Sequence, residues 1–170
     1  MVGSICTRIL AGLAAALSLG GCFFETESAL REELSGTVHL RDALYFRDRL
    51  GCTAALYTVY SRYPKAGVLR VGDMYGALHM LEKGRPVAFT MGLSPNDISM
   101  QVRDHEQRSG LGIVTAGAAG VSMCLDEEMQ ELLWDAMLSP DTLTIFDPNT
   151  KVLTLVDWTH KRAWAFRAMD

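Results

Sequence analysis

The chain has 170 residues, with 16 Lys and Arg against 20 Asp and Glu, for a formal net charge of −4. That mild acidity, with no run of basic side chains, speaks against a nucleic-acid partner, which rewards clustered Lys and Arg. The length suits one ordinary domain, large enough to bury a core.

Residues 1–8 carry one charge, Arg8, and Ile9 to Leu19 is an apolar run softened only by Gly12 and Ser18. A positive start, an apolar middle of about 7–15 residues and small residues before a cut are the layout of a secretory signal. A membrane-spanning helix needs about 20 apolar residues. The run here is interrupted by Gly12, Gly20 and Gly21 and stops at Glu25.

The run closes on Leu19-Gly20-Gly21-Cys22, which resembles the bacterial lipobox: a branched apolar residue, two small residues, then Cys. The resemblance covers residues 1–22 only. It implies a signal peptide over 1–21, cleavage before Cys22, a diacylglycerol on the Cys22 thiol and a third acyl chain, such as palmitate, on its new amino group. Each buried CH₂ contributes about 0.8 kcal/mol, so two or three chains anchor stably where one does not. In lipoproteins of this type an Asp after the Cys favours the inner membrane. Phe23 stands there, which implies the outer membrane, with the domain facing the periplasm. The alternative is an ordinary signal cut near Gly21 and a soluble secreted domain without lipid.

Processing of that kind removes Cys6 and occupies Cys22. It leaves Cys52 and Cys124 together in an oxidising compartment, where they are expected to pair. The organisation expected is a signal peptide over 1–21, a lipid-anchored tether with a short helix over 22–36, and a single α+β domain over 37–170.

In the body, Ala29, Leu30 and Leu34 share one face of a short helix that Gly36 stops. Residues 37–50 fit two patterns, and the charged pairs Arg41/Asp42 and Arg47/Asp48 favour a helix capped by Thr37. Thr53 to Tyr60, rich in β-branched and aromatic residues, reads as a strand. A turn follows at Tyr63 to Gly67, then a short strand at Val68 to Val71. Met74, Ala77, Leu78 and Leu81 recur at helical spacing, with Asp73 as N-cap and Gly84 past the C-terminus. Pro86 to Met91 reads as a strand whose Pro suits an edge or a first position.

Ser94-Pro95-Asn96-Asp97 is a helix start, and the helix runs to about Gln107 with Ile98, Val102 and His105 on one face. Residues 111–123 fit neither strand nor helix securely. Asp126 to Leu138 is a helix with Met129, Leu132, Leu133, Ala136 and Met137 inward, closed by Pro140. Leu143–Phe146 and Val152–Val156 flank a turn at 147–151 and form a hairpin. Ala163 to Arg167 adds a third strand. Helices mixed with antiparallel strands and a C-terminal β-meander define an α+β class.

No complete catalytic set is present. Cys124 ahead of a helix, with His160 as base and Asp157 to hold it, would make a Cys–His hydrolase or acyltransferase. The disulfide competes for the same sulfur. Gly112-x4-Gly117 has the frame of a phosphate loop, but Ala118 stands where Lys is required. Ser122 fails as a nucleophile elbow because Cys124 occupies the second glycine position. Asp104-His105-Glu106 would diverge around a helix. No Cys-x2-Cys or His-x3-His spacing occurs, so neither metal nor other cofactor is expected. The aromatics, Trp134, Trp158 and Trp164 with Tyr45, Tyr57, Tyr60 and Tyr63, read as core filler before they read as a binding cleft. The functional expectation is therefore an envelope lipoprotein. Its binding or structural accessory domain would be held to the bilayer by Cys22 and would face an envelope-protein or cell-wall partner.

Overall fold

The structure, a computed structural model, describes residues 25–49, 51–109 and 121–168. Residues 1–24, with Cys6 and Cys22, and residues 110–120, with the Gly112–Ala118 frame, lie outside the described residues, as do the side chains of Asp104, His105 and Glu106. In chain order the elements are α1 (Glu27–Leu34), β1 (Leu40–Arg49), β2 (Cys52–Val59), β3 (Leu69–Val71), α2 (Met74–Glu82), β4 (Val87–Phe89) and α3 (Pro95–Ser109). A 3-10 turn (Ser122–Cys124), α4 (Glu127–Leu138), β5 (Thr142–Asp147), β6 (Val152–Asp157) and β7 (Arg162–Ala168) complete the fold. The expected α+β class holds.

The seven strands form one sheet in the order β1-β2-β7-β6-β5-β4-β3. Every neighbouring pair is antiparallel except β3 and β4, which run parallel. Helix α2 is the crossover between them, as a parallel pair requires. Pro86 precedes β4, so no ladder N–H is lost, and its carbonyl accepts from Leu69 N–H at 2.9 Å. β4 is not an edge; β3 lies outside it.

β1 corrects the helix expected over residues 37–50. Leu40–Arg49 pairs antiparallel with β2, and Gly51, just ahead of β2, takes φ +96°. Leu44, which a helix over this segment would turn inward with Leu40 and Ala43, is 52% exposed. β1 is an outer strand of the sheet, so its charged side chains reach water without a helix to present them, and charge on an edge also discourages pairing with other chains.

The pleat sends alternate residues to two cores. On one face Leu56, Trp164, Phe166, Leu155 and Phe146 meet Ala77 and Leu81 of α2, Ile98 and Val102 of α3, and Leu133, Ala136 and Met137 of α4. Asp126 caps α4 by accepting from Met129 N–H at 3.1 Å, and Ser94 caps α3 by accepting from Asp97 N–H at 3.2 Å. On the other face Ala55, Tyr57, Ala163 and Ala165 receive Leu30 and Leu34 of α1. Three alanines under α1 let an eight-residue helix seat closely. Leu30 and Leu34 are 1% and 3% exposed, so the boundary read at Gly36 falls inside the packed unit. Ala29 faces solvent.

Candidate functional site

A cleft of about 460 Å³ opens at the end of the sheet where β4 stops and β5 begins. Three connections build it. The first is the loop after β2, which folds on a Ser61 turn: the Ser61 hydroxyl accepts from Tyr63 N–H at 3.1 Å. Lys65 N–H to the Thr37 carbonyl, 2.9 Å, ties that loop to the sheet edge. The second is the Ser139-Pro140-Asp141 turn, closed by Thr142 N–H to the Ser139 carbonyl at 3.2 Å. The third is the β6–β7 loop, where Lys161 takes φ +53° and donates its N–H to the Trp158 carbonyl at 3.2 Å.

Arg62, Tyr63, Arg70, Phe89, Thr142 and Trp158 are among the residues lining the cleft. The guanidinium carbons of Arg62 and Arg70 stand 5.4 and 5.7 Å from the Tyr63 ring centroid. Thr142 is 3% exposed and its hydroxyl has no hydrogen-bond partner. Asp141 lies at the exposed rim. Cations held on an aromatic ring in a recess with a buried threonine and apolar walls can bind and orient a polar ligand.

The candidate catalytic residues Cys124, His160 and Asp157 are not among those lining the cleft. Cys52 and Cys124 form a disulfide, with Cα atoms 6.1 Å apart. His160 and Asp157 do meet, Nδ1 to Oδ2 at 2.6 Å. They sit at the opposite end of β7 from the disulfide: Arg162 pairs with Asp157 and Ala168 with Cys52. Seven residues of strand, at about 3.3 Å each, put roughly 20 Å between those ends. Cys124, His160 and Asp157 thus do not form one site. Among the described residues no group of three His, Cys, Asp or Glu is placed to hold a metal, and no helix is long and apolar enough to cross a membrane.

The aromatics divide. Tyr57 and Trp164 are core, at 0% and 1% exposure. Tyr63 and Trp158 line the cleft. Trp134 projects from α4 among Glu128, Glu131 and Asp135 over a shallow depression. Sequence reasoning missed Arg62, Arg70 and Thr142. Only the Tyr63-Pro64 turn signalled a loop there, and nothing local connects it to position 142.

The fold and cleft define an α+β domain with a ligand-sized recess at one sheet end. No protein-family model, no curated protein and no solved structure matches the chain.

Proposed function

We propose that this chain is a non-enzymatic bacterial envelope lipoprotein. Acylated Cys22 anchors it, at the outer membrane by the Phe23 criterion, and its α+β domain binds a ligand or envelope partner in the periplasm. The observation that carries the reading is the Cys52–Cys124 disulfide. Such bonds persist in oxidising compartments, the destination that the Leu19-Gly20-Gly21-Cys22 signal would serve. The same bond occupies the sulfur a Cys–His hydrolase needs. α1 begins at Glu27, so the anchor and the packed domain are separated by only a few residues. The domain would ride close to the bilayer.

Mass spectrometry of the mature N-terminus tests the anchor. Acyl mass on Cys22 is expected, and Cys22→Ala should move the protein from the membrane to the soluble fraction. An unmodified N-terminus overturns the lipid anchor in favour of the soluble secreted form.

A further inference from the structure

We propose that the cleft at the β4–β5 end binds a small soluble organic anion: a carboxylate or phosphate ester carried on a ring or apolar body. The inference deepens the binding role proposed above and rests on it. Arg62 and Arg70 are both exposed at the cleft wall, and both stand against Tyr63. The ion pairs among the described residues involve neither guanidinium. A guanidinium presents donors in a planar fork that matches carboxylate and phosphate oxygens. Contact with the Tyr63 ring restricts both side chains, so less freedom is lost when they close on an anion.

Thr142 supplies the second, independent observation. A buried hydroxyl with no partner is costly, and structures rarely tolerate one without a reason. Thr142 lines the cleft with its hydroxyl shielded from solvent, so a ligand oxygen would accept the proton once the side chain turns towards the recess. Phe89, Leu93 and Trp158 give the same recess apolar walls, and its volume lies in the range of ligand pockets. Asp141 is the one carboxylate lining the cleft and offsets one arginine. Asp157, behind Thr142 in the neighbouring strand, is engaged by His160 at 2.6 Å, so the two guanidiniums are the groups left to meet a ligand, which favours an anion over a neutral sugar or a cation.

Isothermal titration of the full chain, purified from whichever fraction holds it, tests the proposal. The probes are phenyl phosphate and N-acetylphenylalanine, with benzyl alcohol as the neutral control. At least one anion is expected to bind and benzyl alcohol to bind at least tenfold more weakly. The paired change Arg62→Gln with Arg70→Gln should weaken the anion at least tenfold, and Thr142→Val several-fold, with far-UV circular dichroism unchanged. Both arginines are exposed, so the paired variant keeps its core. Which probe binds better separates a carboxylate from a phosphate ester. Binding of neither anion overturns the proposal, as does equal binding of benzyl alcohol or indifference to the paired change. Binding to phosphatidylglycerol vesicles with no response to either soluble anion would also overturn it, in favour of a lipid surface. A Cys22 found unacylated leaves the titration intact, and a silent titration leaves the anchor intact, so the two failures are distinguishable.

Discussion

Cys52 and Cys124 are joined across 72 residues of chain, linking the first residue of β2 to the turn ahead of α4. The bond pins the helical layer to the sheet at the end away from the cleft. Closing a loop of that length constrains the unfolded chain by about 4 kcal/mol in the entropy model. Cys52→Ala with Cys124→Ala should therefore lower the urea midpoint substantially, and the non-reduced protein should show no titratable thiol at either position. An unchanged midpoint, or two free thiols without reductant, would overturn this.

Arg167 reaches back to the start of the described chain. It bonds Glu25 at 2.6 Å, Glu33 and the Thr150 carbonyl, and is 19% exposed. Burial is the largest influence on Glu25 and raises its carboxyl above the ordinary 4.5, while Arg167 opposes the rise and Glu33 and Asp48 add to it. An acid whose pKa is raised by folding holds its proton more tightly folded than unfolded. Its contribution is most favourable below about pH 4.5 and declines as pH climbs through the folded value. Arg167→Gln removes the opposing charge and pushes Glu25 further up, so stability should fall more steeply from pH 4.5 towards neutrality. Adding Glu25→Gln should remove most of that extra slope. Urea midpoints between pH 4 and 8 decide it, and parallel profiles for wild type and Arg167→Gln would refute the assignment.

Local pattern revealed elements whose environment is set by the chain itself. The α2 and α4 stripes were legible because a helix buries residues at fixed spacing, and the Asp73 and Ser94 caps because their residue types suit a helix start. β2 was legible because it is inside the sheet and nearly all its residues are buried. β1 was not. Arg41, Asp42, Arg47 and Asp48 suit a helix surface and an outer strand equally, and the choice was made by β2, which offers a partner along the whole segment. β3 and β4 were both legible as short strands, but their parallel pairing was not, because local pattern carries no information on strand direction. The disulfide was readable only through the cysteine count that lipobox-type processing would leave. The cleft was not readable, because Arg62, Arg70, Thr142 and Trp158 come from segments up to 96 positions apart, and topology alone unites them.

Gly76 lies in the first turn of α2, where alanine normally stabilises a helix by about 1 kcal/mol. Here a Cβ would stand 2.9 Å from Asp73 Oδ2 and 3.1 Å from Val71 Cγ1. Asp73 caps the helix by accepting from Gly76 N–H at 2.7 Å, and loss of such a cap costs about 1 kcal/mol. Gly76→Ala is therefore expected to give no stabilisation and a small loss. In an Asp73→Ala background the same replacement should cost less or become favourable. A double-mutant cycle by urea denaturation measures the coupling, and additivity would show that the cap does not require the glycine.

Thr142 and Thr144 share one face of β5, both 3% exposed, both with hydroxyls that have no partner. Replacing an unbonded buried hydroxyl by a methyl of the same shape removes a desolvation cost of about 1–3 kcal/mol, at least in part. Valine also suits a strand. Thr144→Val and Thr142→Val should each stabilise the fold by about 1 kcal/mol, read as a higher urea midpoint. Their effects on binding should part. Thr144 is not among the residues lining the cleft, so Thr144→Val is expected to keep anion affinity. Thr142 lines it, so Thr142→Val should gain stability and lose affinity together. A position that is better for the fold and worse for the ligand is the signature of a group retained for binding. Loss of stability in both variants would show that the hydroxyls have partners in solution. Equal affinity for the two would remove Thr142 from the site.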